Sequence, residues 1–201
     1  MGMALNKTTL KQQRDQHKTY KRFLPALDLK RQQLLAALKK ARQELTEAEQ
    51  QFAGLLHRVE QLYPLLGSST AATRNLASLV RVREVRLGEE NVLGTTLPVA
   101  LAVDFDVTEY SRLVMPFWVD LLVNNLEQMA EWSIWVQVRR ERVQRLDYAA
   151  RRITQRVNLF EKVLIPRAQE NIRKIVIFLS DQERAAVVRS KIAKGKSAAA
   201  R

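Results

Sequence analysis

The stretch Leu34–Leu56, LLAALKKARQELTEAEQQFAGLL, decides the fold. Positions seven apart give Leu38, Leu45, Phe52 and Val59; the companion series gives Leu34, Ala41, Ala48, Leu55 and Leu62. Apolar residues repeating in this a/d pattern form one narrow stripe on a helix, the signature of a coiled coil. Between the stripe positions lie good helix formers such as Lys39-Lys40-Ala41-Arg42-Gln43-Glu44. Extended backwards, one series reads Leu10, His17, Leu24, Arg31 and the other Gln13, Tyr20, Leu27, so the stripe continues with polar interruptions. From Lys7 to Leu66 such a helix would be about 90 Å long. Pro25 lies inside it and is expected to kink or break it, and Arg31 at a stripe position is a polar insertion that can set register.

A second stripe occupies the C-terminal part. One series is Leu122, Met129, Val136, Val143, Ala150, Val157, Leu164; the other is Trp132, Arg139, Leu146, Ile153, Phe160. Beyond Leu164 the stripe steps to Ala168, Ile172, Ile175, Leu179 and Ala186; the jump from Leu164 to Ala168 reads as a stutter, which locally unwinds a supercoil, with Pro166 beside it as a cause for a bend. A continuous helix from about Thr108 to Ile192 would span roughly 125 Å.

The middle differs. Gly67-Ser68-Ser69-Thr70 is a loop signal, and Val80-Arg81-Val82-Arg83 alternates as a half-exposed strand does. Leu97–Val103 reads as a second strand with Pro98 at its start. The expected fold is therefore all-α dominated: an antiparallel two-helix coiled coil from the N- and C-terminal helices, with a small central hairpin or irregular region. The boundaries are 1–66 for the first helix, 67–107 for the centre, 108–194 for the second helix and 195–201 for a flexible basic tail. Antiparallel pairing within one chain is favoured over dimerisation because the partner helix is tethered.

Composition supports this and excludes much else. The 201 residues include 6 Gly and 5 Pro, few for a sheet-rich enzyme, and no cysteine, so disulfide, zinc-thiolate and thiol chemistry are absent. The net charge of +13 is uneven: residues 1–60 carry +6, 61–138 carry −4 and 139–201 carry +11. Basic ends suggest an anionic or enclosing partner, against the plainer reading of solvated helix faces. No apolar run resembles a signal peptide or a membrane span; Leu113–Val138 is interrupted by Asp120, Asn124, Asn125, Glu127 and Glu131. A soluble, cytoplasmic protein is expected.

Candidate chemistry is sparse. Glu89 and Glu90 read as turn carboxylates, and Asp104 and Asp106 flank Phe105 on one strand face; solvation explains both pairs. His17 falls on the first stripe and His57 beside it, neither with a second histidine at i+3 or i+4. Trp118, Trp132 and Trp135 gather near the start of the second helix, as packing against the hairpin or as an anchor for a partner. The tail Lys191–Lys196 could meet phosphate, although a solvated terminus is the default. No catalytic cluster, cofactor motif or metal-ligand set is expected, and no GxGxxG, GxxxxGK[ST] or GxSxG pattern occurs.

Several segments resemble one family. Arg151-Arg152 followed by Arg156–Arg167, RVNLFEKVLIPR, is similar to the RRVNALE-x-VLIPR signature of the V/A-type ATPase D subunit, and Asn171–Ile175, Asp181–Arg184 and the lysine-rich tail continue the likeness. Leu29-Lys30-Arg31 with Leu34 resembles the family's LLK-x-KRD-x-L stretch, and Glu90–Pro98 its NVMG-x-x-x-P segment. Pro25 stands near where the family often has Gly, and Gln32-Gln33 dilute the basic run.

The resemblance implies a central rotor shaft: paired termini inside a catalytic hexamer of A and B subunits, a small F subunit on the shaft, and a funnel-shaped connector to the membrane ring. It also implies no active site, no cofactor and a place peripheral to the membrane. Arg184, Arg189, Lys191 and Lys194 are the cations expected to face such a sleeve. The alternative from composition is a basic coiled-coil scaffold for nucleic acid or a membrane surface. For nucleic acid, its cations are spread along both helices rather than gathered in one stripe with aromatics; for a membrane, the heptads leave no obvious apolar face for lipid.

Overall fold

A computed structural model describes residues 4–61, 79–108 and 118–199. In chain order these form α1 (Lys7–Glu60), β1 (Val80–Val92), β2 (Thr95–Val107), α2 (Trp118–Leu159), a π turn (Phe160–Leu164) and α3 (Ile165–Ala199). The protein is mostly helical, with one small two-stranded antiparallel sheet. The expected Gly67–Thr70 loop lies outside the described residues.

Several boundaries differ from the sequence reading. Helix α1 is described from Lys7 to Glu60, and the expected boundary at residue 66 lies outside the described residues. It runs through Pro25 without a break, so that proline does not divide the helix. Helix α3 continues through Gly195 to Ala199, past residue 194, where the sequence suggests the start of a flexible tail. Strand β1 extends well beyond the Val80–Arg83 alternation, so Glu89 and Glu90 stand on a strand and not in a turn.

The chain divides into two compact units, one of residues 1–31 with 152–201 and the other of residues 32–151. The first boundary falls at Arg31, the polar insertion in the stripe, which is paired with Asp28.

In the central unit α1 buries Leu34, Leu38, Ala41, Ala48, Leu55 and Val59, with Leu45 and Phe52 half-buried between them. Those are the a/d positions of the heptad, so burial follows the stripe read from the sequence. Helix α2 buries Val136, Leu146 and Ala150 in the same unit. Two ion pairs give the relative direction. Arg42 meets Asp147 at 3.0 Å and, seven residues on, Glu49 meets Arg140, seven residues back, at 2.9 Å. A step forward on one helix is a step backward on the other, so α1 and α2 run antiparallel here.

The hairpin completes the unit. Strand β1 pairs with β2 from Val80↔Val107 to Val92↔Thr95, leaving Leu93-Gly94 as a two-residue connection. Both have positive φ, 54° at Leu93 and 81° at Gly94, the signature of a type I′ turn matching the strand twist. Asn91 secures it: its Oδ1 accepts from the Gly94 N–H at 2.8 Å. Pro98 is the fourth residue of β2, opposite Glu89. A two-stranded sheet offers each strand a free edge, where a missing N–H is tolerated. At the base of the hairpin Leu79, Trp118, Val119, Leu122 and Val123 form a buried cluster.

In the terminal unit α3 buries Ala168 and Ile175, while Ile153 and Val157 are buried on α2. From α1 the facing residues Leu10, Gln13, His17, Tyr20, Leu24 and Leu27 are only half-buried. Two contacts join the helices there: Asn171 Nδ2 donates to Gln13 Oε1 at 3.1 Å, and the Tyr20 and Phe160 rings meet edge-on at 5.4 Å.

Candidate functional site

The most structured surface feature is the hairpin against α2. Trp135, Val138, Arg142 and Arg145 lie on one face of that helix, about 100° per residue apart, so spacings of three and four bring them together. Arg142 is the central anchor. One of its nitrogens donates to the Pro98 carbonyl at 3.1 Å and the other to Glu90 at 2.8 Å, so a single fork holds both strands. Its side chain is only 18% exposed, which makes these bonds stronger than ordinary surface pairs. Arg145 donates to the Thr96 carbonyl at 3.1 Å and to Glu141 at 2.6 Å. A cleft of about 250 Å³ remains between strand and helix, lined by Val99, Ala100, Trp135, Val138, Arg139 and Arg142 with Glu44 and Glu90. Arg139 lies over the Trp135 ring, 5.4 Å from its centroid.

The residues singled out from sequence are dispersed. Glu90 is the partner of Arg142, while Asp104 pairs with Arg86 at 3.1 Å across the hairpin. Asp106 stands opposite Arg81 in the strand register. His57 makes its contacts along its own helix, 3.6 Å from Glu60. The Nε2 of His17 is buried in the terminal unit, with no acid at i+3 or i+4 to join it as a ligand. Among the described residues no group of three or more His, Asp or Glu could hold a metal ion.

The tryptophans split. Trp118 is core, in the cluster at the hairpin base; Trp132 and Trp135 sit 6.0 Å apart, and Trp135 lines the cleft. Sequence reasoning does not pick out Arg142 and Arg145. The available signal is Val138, an apolar residue off the heptad stripe that marks a second covered face on the helix.

The family described as the ATP synthase D subunit matches residues 9–195 of this chain. The V-type ATP synthase D subunit of Borreliella burgdorferi is 34% identical over 96% of the chain and 93% of its own length. That of Chlamydia muridarum is 32% identical over 87% of the chain and 85% of its own length. The chain belongs to the ATP synthase D-subunit family. Members of this family are non-catalytic stalk components, so the functional surfaces are those that meet other subunits rather than a reaction centre.

Two exposed apolar surfaces stand out on this member of the family. On the hairpin, Leu87 and Leu101 are exposed by more than half, and the Leu101 side chain lies across Gly88, where an added Cβ would approach it to 3.2 Å. On α3, Val187, Val188 and Ile192 are exposed beyond Glu183, which pairs with Lys7 of α1. Among the described residues no helix is long and apolar enough to cross a membrane.

Proposed function

We propose that this chain is the central-stalk rotor subunit of a V/A-type proton- or sodium-translocating ATPase or ATP synthase, and that it transmits torque between the catalytic hexamer and the membrane rotor ring. The observation that carries this reading, beside family membership, is the pair of ion contacts 42–147 and 49–140, which run in opposite directions along two helices whose buried residues keep heptad spacing. A two-helix antiparallel coiled coil resists twisting because its side chains interlock at a and d positions. In this reading the paired termini stand inside the hexamer of A and B subunits. A small F subunit and a funnel-shaped connector meet the shaft below it. The chain works on the cytoplasmic side, peripheral to the membrane, with no lipid contact, nucleic acid or cofactor of its own. Exposed Val187, Val188 and Ile192, with Arg184, Arg189 and Lys191 between and around them, suit a sleeve that covers α3 without gripping it.

Affinity purification of the full chain from its own cells tests this. Recovery of both hexamer subunits and a small stalk subunit is expected. Recovery of nucleic acid or vesicles in their place, lost steeply as salt rises, would favour the basic-scaffold alternative and end the rotor reading. Within the assembled enzyme, neutralising Arg184, Arg189, Lys191 and Lys194 together should lower coupled ion transport more than ATP hydrolysis.

A further inference from the structure

The π turn at Phe160–Leu164 sits where the apolar stripe takes its extra residue. Stripe positions before it are Ile153 and Val157; Phe160 and Leu164 are its first and last residues, and Ala168, Ile172, Ile175 and Leu179 follow. Ile153 to Phe160 is seven residues, the heptad interval; Phe160 to Ala168 is eight. In a regular α-helix one surplus residue would rotate everything beyond it by about 100° and turn Ala168 and Ile175 out of the interior. Both are buried, Ile175 completely. The surplus is taken up locally instead: the Ile165 N–H donates to the Phe160 carbonyl, five residues back rather than four.

Pro166 explains why the wide turn forms here. In α winding its ring would collide with the Lys162 carbonyl, and it brings no N–H to bond that oxygen. Regular winding therefore gains least at this turn, and a π turn moves the carbonyl away. The same proline limits where the turn can go. To shift toward the C-terminus it would need a donor at position 166, and none exists. On the other side the edge-on contact of Phe160 with Tyr20 of α1 holds the residue that begins the turn.

We propose that Phe160–Leu164 is a winding joint: a one-residue insert, pinned between the Tyr20–Phe160 contact and Pro166, at which the C-terminal helix can change its winding while its buried stripe stays in phase. The joint is the place in this helix where twist is taken up first. Its use under load rests on the rotor reading; its existence does not.

The chain has no cysteine, so a cross-linkable pair can be introduced cleanly. In a Gln13→Cys, Asn171→Cys background, with a short bis-maleimide as the probe, deletion of exposed Glu161 removes the surplus residue that the π turn takes up. The cross-link yield should remain within about twofold, because the insert and its removal leave the same phase. Deletion of exposed Arg156, outside the turn, should lower the yield roughly tenfold, because it re-phases the stripe by about 100°. Equal yields from the two deletions, whether both kept or both lost, would overturn the proposal.

A second measurement uses the unaltered full chain. Amides of 161–165 should exchange with deuterium at least about tenfold faster than those one turn to either side, given their poorer hydrogen bonding. Pro166→Ala should spread that fast exchange past 166, and Tyr20→Ala should spread it back toward 156. Uniform exchange through 156–170 would overturn the joint in a chain that is folded. In the assembled enzyme, unchanged coupling in the Glu161 deletion would remove the part that rests on the rotor reading and leave the joint itself.

Discussion

The central and terminal units hold their helices together by different means. In the central unit α1 presents six fully buried residues, Leu34, Leu38, Ala41, Ala48, Leu55 and Val59. In the terminal unit the same helix presents none; its seam is Leu10, Gln13, His17, Tyr20, Leu24 and Leu27, all half-buried. The central unit adds a hairpin clamped to α2, whereas the terminal unit has an aromatic pair, a Gln–Asn hydrogen bond and a proline-linked π turn. One heptad pattern thus builds a deeply buried seam in one unit and a shallower seam in the other. The difference in burial should appear as a difference in truncation cost. Leu146→Ala, at a site 2% exposed, should cost about 2–5 kcal/mol, and Leu24→Ala in the terminal seam only about 1–2 kcal/mol. Urea unfolding followed by circular dichroism measures both; equal costs would erase the distinction.

The clamp gives the next largest effect. Arg142→Ala removes bonds to Pro98 and Glu90 together and leaves the partly buried strand carbonyl without its donor. A loss of about 1–3 kcal/mol is expected, confined to the central unit. Hydrogen exchange should show hairpin amides released while those of 165–180 keep their protection. Arg145→Ala should do the same more weakly, since Arg145 shares its charge with Glu141.

Much of this architecture is legible in the sequence because a seven-residue repeat constrains burial so directly. Leu34 to Val59 are buried where the stripe puts them, and the strands around Val80 and Leu97 follow from alternation and turn residues. The stutter after Leu164 is visible too, although a shift in spacing does not say whether a helix unwinds, bends or forms a π turn. What decides it is Pro166 acting on the Lys162 carbonyl, a local steric effect added to a global pattern.

Pro25 does not break α1, because one lost bond is a small part of a helix of 54 residues. The clamp arginines escape a reading of the sequence because arginine on a helix surface is usually solvated. Only the tertiary neighbour, a strand carbonyl, distinguishes Arg142 from Arg156.

The hairpin tip offers a gain rather than a loss. Leu93 adopts φ 54°, a left-handed conformation that costs a leucine about 1–2 kcal/mol and an asparagine less. Leu93→Asn should therefore stabilise the central unit by up to about 1 kcal/mol. A small rise in melting temperature, with terminal-unit exchange unchanged, is the expected outcome. A fall would mean that the leucine side chain contributes more through contact than its backbone loses in strain.

The smallest effect lies on the terminal unit and tests how far its surface charges matter. Glu170 has its pKa lowered below the ordinary value of 4.5, first by the hydrogen bond from Lys174 one turn on and then by the Lys174 charge, with Arg167 adding to it and slight desolvation opposing it. The Lys174–Glu170 pair is 2.6 Å apart and both side chains are exposed. A depressed carboxylate pKa favours the folded state above the unfolded value and loses that contribution as pH falls through the folded one. Here the window is therefore acidic, below pH 4.5, and nothing should change near neutrality. Carboxyl-carbon NMR titration of the full chain should place Glu170 below 4.5, with Lys174→Ala or added salt moving it back up. Because the pair is exposed, unfolding midpoints at about pH 7 should be nearly the same with and without Lys174. A clear destabilisation there would mean that the terminal unit depends on its surface charges where the central unit depends on its leucines, and would sharpen the contrast between them.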